Sequence, residues 1–139
     1  MRAWSLSPVL LSAALPAIAA DLAVDIVDVK SAEGNVRVAI YDNPETWLGK
    51  PVKGITVKAV AGTVTVNFGD LPEGEYAVVT YHDVNANGKL DFNFLHMPKE
   101  PWGFSNDAAP RFGAPTYKDA RFKLPASGAR ITIHLKEGF

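Results

Sequence analysis

The chain has 139 residues, 47% of them hydrophobic and 21% charged, which suits one globular domain and leaves little room for two. Its 14 Lys+Arg against 15 Asp+Glu give a net charge of -1, so no basic excess marks it as a nucleic-acid binder. It holds no cysteine, which excludes disulfide frameworks, thiolate metal centres, thiol catalysis and lipidation through cysteine.

The N-terminus carries an address. Met1-Arg2 gives one positive charge, an apolar run follows from Ala3 to Leu15, and Ala17 and Ala19 stand in the A-x-A arrangement before Asp21. This three-part pattern predicts a secretory signal peptide over residues 1–20, cleaved after Ala19 or Ala20, and a single mature domain over 21–139. The apolar run is too short to cross a bilayer and no second stretch approaches transmembrane length, so the expected location is periplasmic or secreted, with no membrane span. An exported chain without disulfides must draw its stability from a hydrophobic core, helped in this reading by a bound ion.

From Val24 onward the apolar residues recur with period two. Val24–Val29 forms the first expected strand, and Val36, Val38 and Ile40 alternate with Arg37, Ala39 and Tyr41 in the second. Ile55, Val57 and Ala59 then Val64, Val66 and Phe68 make two more, read as a hairpin around Ala61-Gly62. Tyr76–Tyr81 (YAVVTY) is apolar on both faces and reads as a central strand covered on both sides. Arg121–Leu124 and Ile131–Leu135 complete seven strands. The expected fold is an all-β, antiparallel, seven-stranded β-sandwich of immunoglobulin-like or transthyretin-like type. Tyr76, just after Leu71-Pro72-Glu73-Gly74-Glu75, is placed to cap a corner with its hydroxyl on upstream backbone. The stretch from Phe92 to Asp119, rich in Pro and Gly and carrying Trp102, Phe104, Phe112 and Tyr117, reads as one long ordered loop.

His82-Asp83-Val84-Asn85-Ala86-Asn87-Gly88-Lys89-Leu90-Asp91 holds the most specific chemistry. Oxygen side chains fall at relative positions 1, 3 and 5 (Asp83, Asn85, Asn87), Gly88 stands at 6, Lys89 offers a carbonyl at 7, and Asp91 stands at 9. That spacing follows the first three-quarters of an EF-hand-type loop and predicts a calcium site built from Asp83, Asn85, Asn87, Lys89 and Asp91. The pattern breaks at position 12, where Phe94 replaces the bidentate Glu, so further ligands would come from Glu100, Asp107, Asp119, backbone or water. Asx-turn chemistry alone would also place Asn and Asp here. Asn amides are poor ligands for transition metals, which favours a hard cation. His82 and His96 flank the loop as hydrogen-bonded or surface residues, and His134 falls on the polar face of the last strand.

Gly34–Tyr41, Leu71–Val78, His82–Asp91, Pro98–Asn106 and Pro115–Phe122 together resemble a family of small exported bacterial proteins called domain of unknown function 2141. The resemblance implies an exported β-sandwich and supplies no catalytic residues; Leu95-His96-Met97 departs from it where a Gly is expected. The function read from the residues is a non-enzymatic module whose calcium-ordered loop presents Trp102 and Phe104, with Trp47, to a protein, peptide or carbohydrate partner. The alternatives are a small periplasmic hydrolase using Asp83, His82 and Glu100 or Asp107, and a purely structural envelope protein. The hydrolase lacks the second Gly of a G-x-S-x-G elbow around Ser105.

Overall fold

Alternation along each segment decides which residues turn inward, and the strands follow it. The computed structural model describes residues 19–91, 98–109 and 113–137; the body of the expected leader, with Phe94, His96 and Phe112, lies outside them. The strands are β1 (Ala19–Val29), β2 (Asn35–Tyr41), β3 (Lys53–Lys58), β4 (Gly62–Pro72), β5 (Gly74–Asp83), β6 (Trp102–Phe104), β7 (Phe122–Leu124) and β8 (Ala129–His134), with a short helix α1 (Tyr117–Ala120) before β7. They form two sheets, one ordered β4-β1-β8 and the other β3-β2-β5-β6, with β7 also on β5. The protein is therefore all-β with two sheets, and its main core holds Leu22, Val24 and Ile26 from one sheet and Val36, Val38, Ile40 and Val78 from the other.

Eight strands are described rather than seven, because the irregular stretch contributes β6. β1 and β8 run parallel, from Leu22↔Ala129 to Val27↔His134, so the sandwich is not wholly antiparallel. A parallel pair needs a long crossover, and here nearly the whole domain separates the two strands. The expected hairpin between β3 and β4 is also corrected. β3 pairs β2 and β4 pairs β1, so the segment Ala59–Ala61 carries the chain from one sheet to the other. The inward residues are those the alternation predicts: Ile55 and Val57 pack on the core from one sheet and Val64, Val66 and Phe68 from the other. Period two says which side chains turn inward; it does not say which strand lies alongside.

β5 is central as expected. β2 pairs one of its edges along its length, while β6 takes Val79–Tyr81 and β7 takes Gly74–Tyr76 on the other. Its inward residue Val78 joins the main core, and Ala77 on the opposite face joins a second cluster with Tyr41, Trp102, Phe104, Tyr117 and Ala120. Trp47 is the hub of that layer, with ring centroids 5.0 Å from Tyr41 and 5.9 Å from both Phe104 and Tyr117. Its indole N–H donates to the Pro115 carbonyl at 3.0 Å. Trp102 and Phe104 are 2% and 6% exposed, so they roof the sheet instead of displaying a partner surface. Tyr76 caps its corner as expected, donating its hydroxyl to the Pro72 carbonyl at 2.6 Å.

The second edge of the sandwich is sewn shut by backbone. Trp102 N–H donates to Lys136 O at 2.9 Å and Lys136 N–H returns to Trp102 O at 2.8 Å, joining β6 to the strand end beyond β8. The close approach requires Gly103, where a Cβ would stand 2.5 Å from Ile133 Cγ2 and 2.9 Å from the His134 carbonyl oxygen. Gly103→Ala is expected to destabilise the fold by about 1–3 kcal/mol through overpacking, read as a lowered midpoint in urea with an unchanged slope.

Candidate functional site

β5 ends at Asp83, and the loop from Val84 to Asp91 leaves it as one tight curl. Asp83 has no exposed surface. Its Oδ1 accepts the Asn87 N–H at 3.2 Å, and its Oδ2 accepts the Gly88 N–H at 2.8 Å and the Arg37 Nε–H at 2.9 Å. Gly88 takes φ +82°, the left-handed backbone its position at the sharp turn calls for. Asn85 Oδ1 also accepts from Asn87 N–H at 3.3 Å, so Asp83 and Asn85 turn oxygens toward one point. Asn87 Oδ1 accepts the Lys89 N–H at 3.0 Å. The Asn85 and Asn87 amide groups both donate to the Asp91 carboxylate, at 2.8 and 2.9 Å.

The five residues expected around a cation are thus linked into one network, with the oxygens engaged on backbone and amide N–H groups. Among the described residues no group of three or more His, Cys, Asp or Glu side chains is gathered as a metal cluster. The donor set nevertheless fits a hard cation in one respect. An amide or carboxylate oxygen carries two lone pairs, and among the described residues Asp83 Oδ1, Asn85 Oδ1 and Asn87 Oδ1 each accept a single hydrogen bond. Against it stands the Arg37 cation on Asp83.

Glu100 is brought to the loop, as weighed from the sequence, but as a clamp on its backbone. The buried carboxylate accepts the Val84 N–H at 2.7 Å through Oε2 and the Asp91 N–H at 3.0 Å through Oε1, spanning the loop's two ends. Lys99 N–H donates to Asp91 O at 2.7 Å and His82 N–H to Pro101 O at 2.8 Å, so the returning chain runs beside the loop. A cavity of about 420 Å3 lies here, lined by Val84, Asn85, Asp91, Lys99 and Glu100.

The remaining sequence candidates sit elsewhere. Asp119 bonds Thr116 at the start of α1, and Asp107 accepts from His134 N–H at 2.9 Å and meets its Nδ1 at 2.8 Å. Ser105 is fully buried, donating to Ala120 O at 2.5 Å and accepting the Val78 N–H at 2.9 Å, a stitch between β5 and α1. His82 is 1% exposed, with Nε2 2.6 Å from Glu33 O and no partner on Nδ1 among the described residues.

Two features escaped the sequence reading. In the sequence Arg37 is only a polar residue alternating along β2; the pairing Asn35↔Asp83 sets it diagonally beside Asp83, a relation visible only once the register is known. The other is a groove of about 660 Å3 over the outer face of β2, β3 and β5. Its floor includes Ala39 and Val79, one end is walled by Gly88, Lys89 and Leu90, and the other by Leu48, Gly49 and Pro51. Tyr81 lines one side of the groove and donates its hydroxyl to the Gly88 carbonyl at 3.2 Å, tying that side to the end wall.

Fold and site together define a small two-sheet β protein with a self-clamped, oxygen-rich loop beside an open groove. The chain belongs to a family described as an uncharacterized protein conserved in bacteria (DUF2141), which matches residues 24–132. Comparison with curated proteins and with solved structures gave no match.

Burial pushes the Asp83 carboxyl up, but the Arg37 guanidinium and the Gly88 and Asn87 N–H donors outweigh it and hold Asp83 below its ordinary value of 3.8. Asp91 is likewise held below 3.8, by the Asn87 and Asn85 amides against the smaller effect of burial. A depressed folded-state value means the contribution is full above the unfolded value and is lost as pH falls through the folded one. Asp83→Asn, which leaves donors facing donors, is expected to cost about 1–3 kcal/mol at pH 7. The gap to wild type should shrink below pH 3.8 as Asp83 itself becomes protonated, measured by urea unfolding across pH 7 to 2.5.

Proposed function

We propose that this chain is an exported, non-enzymatic β-sandwich module of immunoglobulin- or transthyretin-like type, which binds a ligand in the groove and uses calcium at the Asp83–Asp91 loop to hold its end wall. One observation carries the reading. The residues walling the groove, Gly88, Lys89 and Leu90, belong to the loop whose backbone Asp83 curls. A volume of about 660 Å3 lies within the range of small-ligand sites, about 300–1,000 Å3.

Calcium would sit against Asp83, Asn85, Asn87, the Lys89 carbonyl and Asp91, using lone pairs their present hydrogen bonds leave over. It would add a hard positive centre that stiffens the wall and lowers the ordering cost when a ligand arrives. Two carboxylates with Arg37 beside one of them favour micromolar or weaker affinity, suited to an extracytoplasmic compartment. The non-enzymatic reading is supported by Ser105, whose hydroxyl is spent on backbone groups inside the fold, and by His82, which is only 1% exposed.

Calcium added to dialysed protein is expected to raise the melting temperature by roughly 5 °C at ten times its Kd. Asp91→Ala should abolish the rise, and no shift at millimolar calcium would remove the ion from this function.

Export is supported by the leader pattern, and the fold favours one of its two cleavage sites. Ala20 is 2% exposed and pairs with Leu71 in β1, so a cut after Ala19 keeps a core residue that a cut after Ala20 discards. Mass spectrometry of the exported protein is expected to find Ala20 as its first residue; a start at Asp21, or an unprocessed chain, would contradict this.

A further inference from the structure

We infer that the groove, taken as the binding surface proposed above, accepts a small amphipathic anion: an apolar aryl or alkyl body with one acidic head held by Arg37 and Lys89. The strand register builds the trough. Gly54, Ala39 and Val79 are successive cross-strand partners on β3, β2 and β5, so over these three strands the row carries no side chain larger than valine, and Phe104 follows it on β6. The next row toward the loop is Thr56, Arg37 and Tyr81, which raises one side of the trough with a guanidinium and a phenol ring. An apolar body lying along the small-residue row therefore has Arg37 at its flank, where an acidic substituent would meet the guanidinium.

The charge is one-sided. Among the described residues lining the groove, Arg37 and Lys89 are the charged ones and none is a carboxylate. Asp83, the acid nearest Arg37, is buried behind it with both oxygens engaged. The Arg37 side chain is 32% exposed and donates from Nε to Asp83 and from one terminal nitrogen to Thr56 Oγ1, leaving donors for an incoming anion. A guanidinium anchored from behind loses little freedom when it binds a planar acid, which favours an anionic head over a neutral sugar or an uncharged peptide segment.

The probes are 8-anilinonaphthalene-1-sulfonate and N-phenyl-1-naphthylamine, which share an aromatic body and differ in the sulfonate. Fluorescence titration of the full exported chain is expected to show saturable sulfonate binding about tenfold tighter than the neutral amine, weakened by added salt. Gly54→Leu, whose Cβ meets nothing closer than the Val38 carbonyl at 3.8 Å, fills the trough without touching the loop and should abolish sulfonate binding at an unchanged melting temperature. Lys89→Met should weaken the sulfonate several-fold and leave the neutral probe unaffected. Equal affinities for the two probes, both lost in Gly54→Leu, would overturn the anion assignment while keeping the groove. Unchanged sulfonate binding in Gly54→Leu would overturn the site. Equal sulfonate affinity in calcium and in chelator upholds the anion site and removes calcium from the function proposed above.

Discussion

A carboxylate with no exposed surface persists only where hydrogen bonds replace the water it has lost, and Asp83 at the end of β5 is so placed. Its two oxygens take the Asn87 and Gly88 N–H groups and the Arg37 guanidinium. Those bonds have two consequences. They curl the loop, because donors four and five residues onward must return to one side chain. They also fix Arg37 on the outer face of β2, where a free arginine would sweep through solvent. Groove wall and groove floor are thus positioned by the same buried charge.

Glu100 repeats the device from the other side. Its carboxylate holds Val84 and Asp91 by their N–H groups, so a residue from the returning chain staples both ends of the loop to β5 and β6. Buried acids serving N–H donors explain how an Asn- and Asp-rich segment can be ordered: its exposed side chains cap backbone while two buried ones anchor it. In the proposed function the same oxygens would face a hard cation, and the Arg37 guanidinium on Asp83 would oppose it, which is why weak binding is expected there.

The five-stranded sheet is covered on both faces, which explains the unbroken apolar run of β5. One face meets the second sheet; part of the other meets the aromatic layer around Trp47. That layer packs against Ala39 and Val79 and leaves them half-buried, and the groove forms beside it over Gly54, Ala39 and Val79. The opening is a consequence of small side chains and of the two loops standing at either end.

The sequence by itself determined the inward and outward faces of the strands, the centrality of β5, the Tyr76 corner and the position of the Asp83–Asp91 loop. Each is a local property, written in period-two alternation, in a Pro-Gly turn or in the spacing of oxygens along ten residues. Tertiary structure decided what β3 and β4 pair with, that β8 lies parallel to β1, that Trp102 and Phe104 are roofed over, and that Arg37 and Glu100 close on the loop. These depend on strand register and on which distant segment lies alongside, and neither leaves a periodic trace in the chain. Arg37 and Asp83 are 46 residues apart and meet at 2.9 Å only because β2 and β5 are neighbours in one register, set by the summed packing of the core and not by either residue alone.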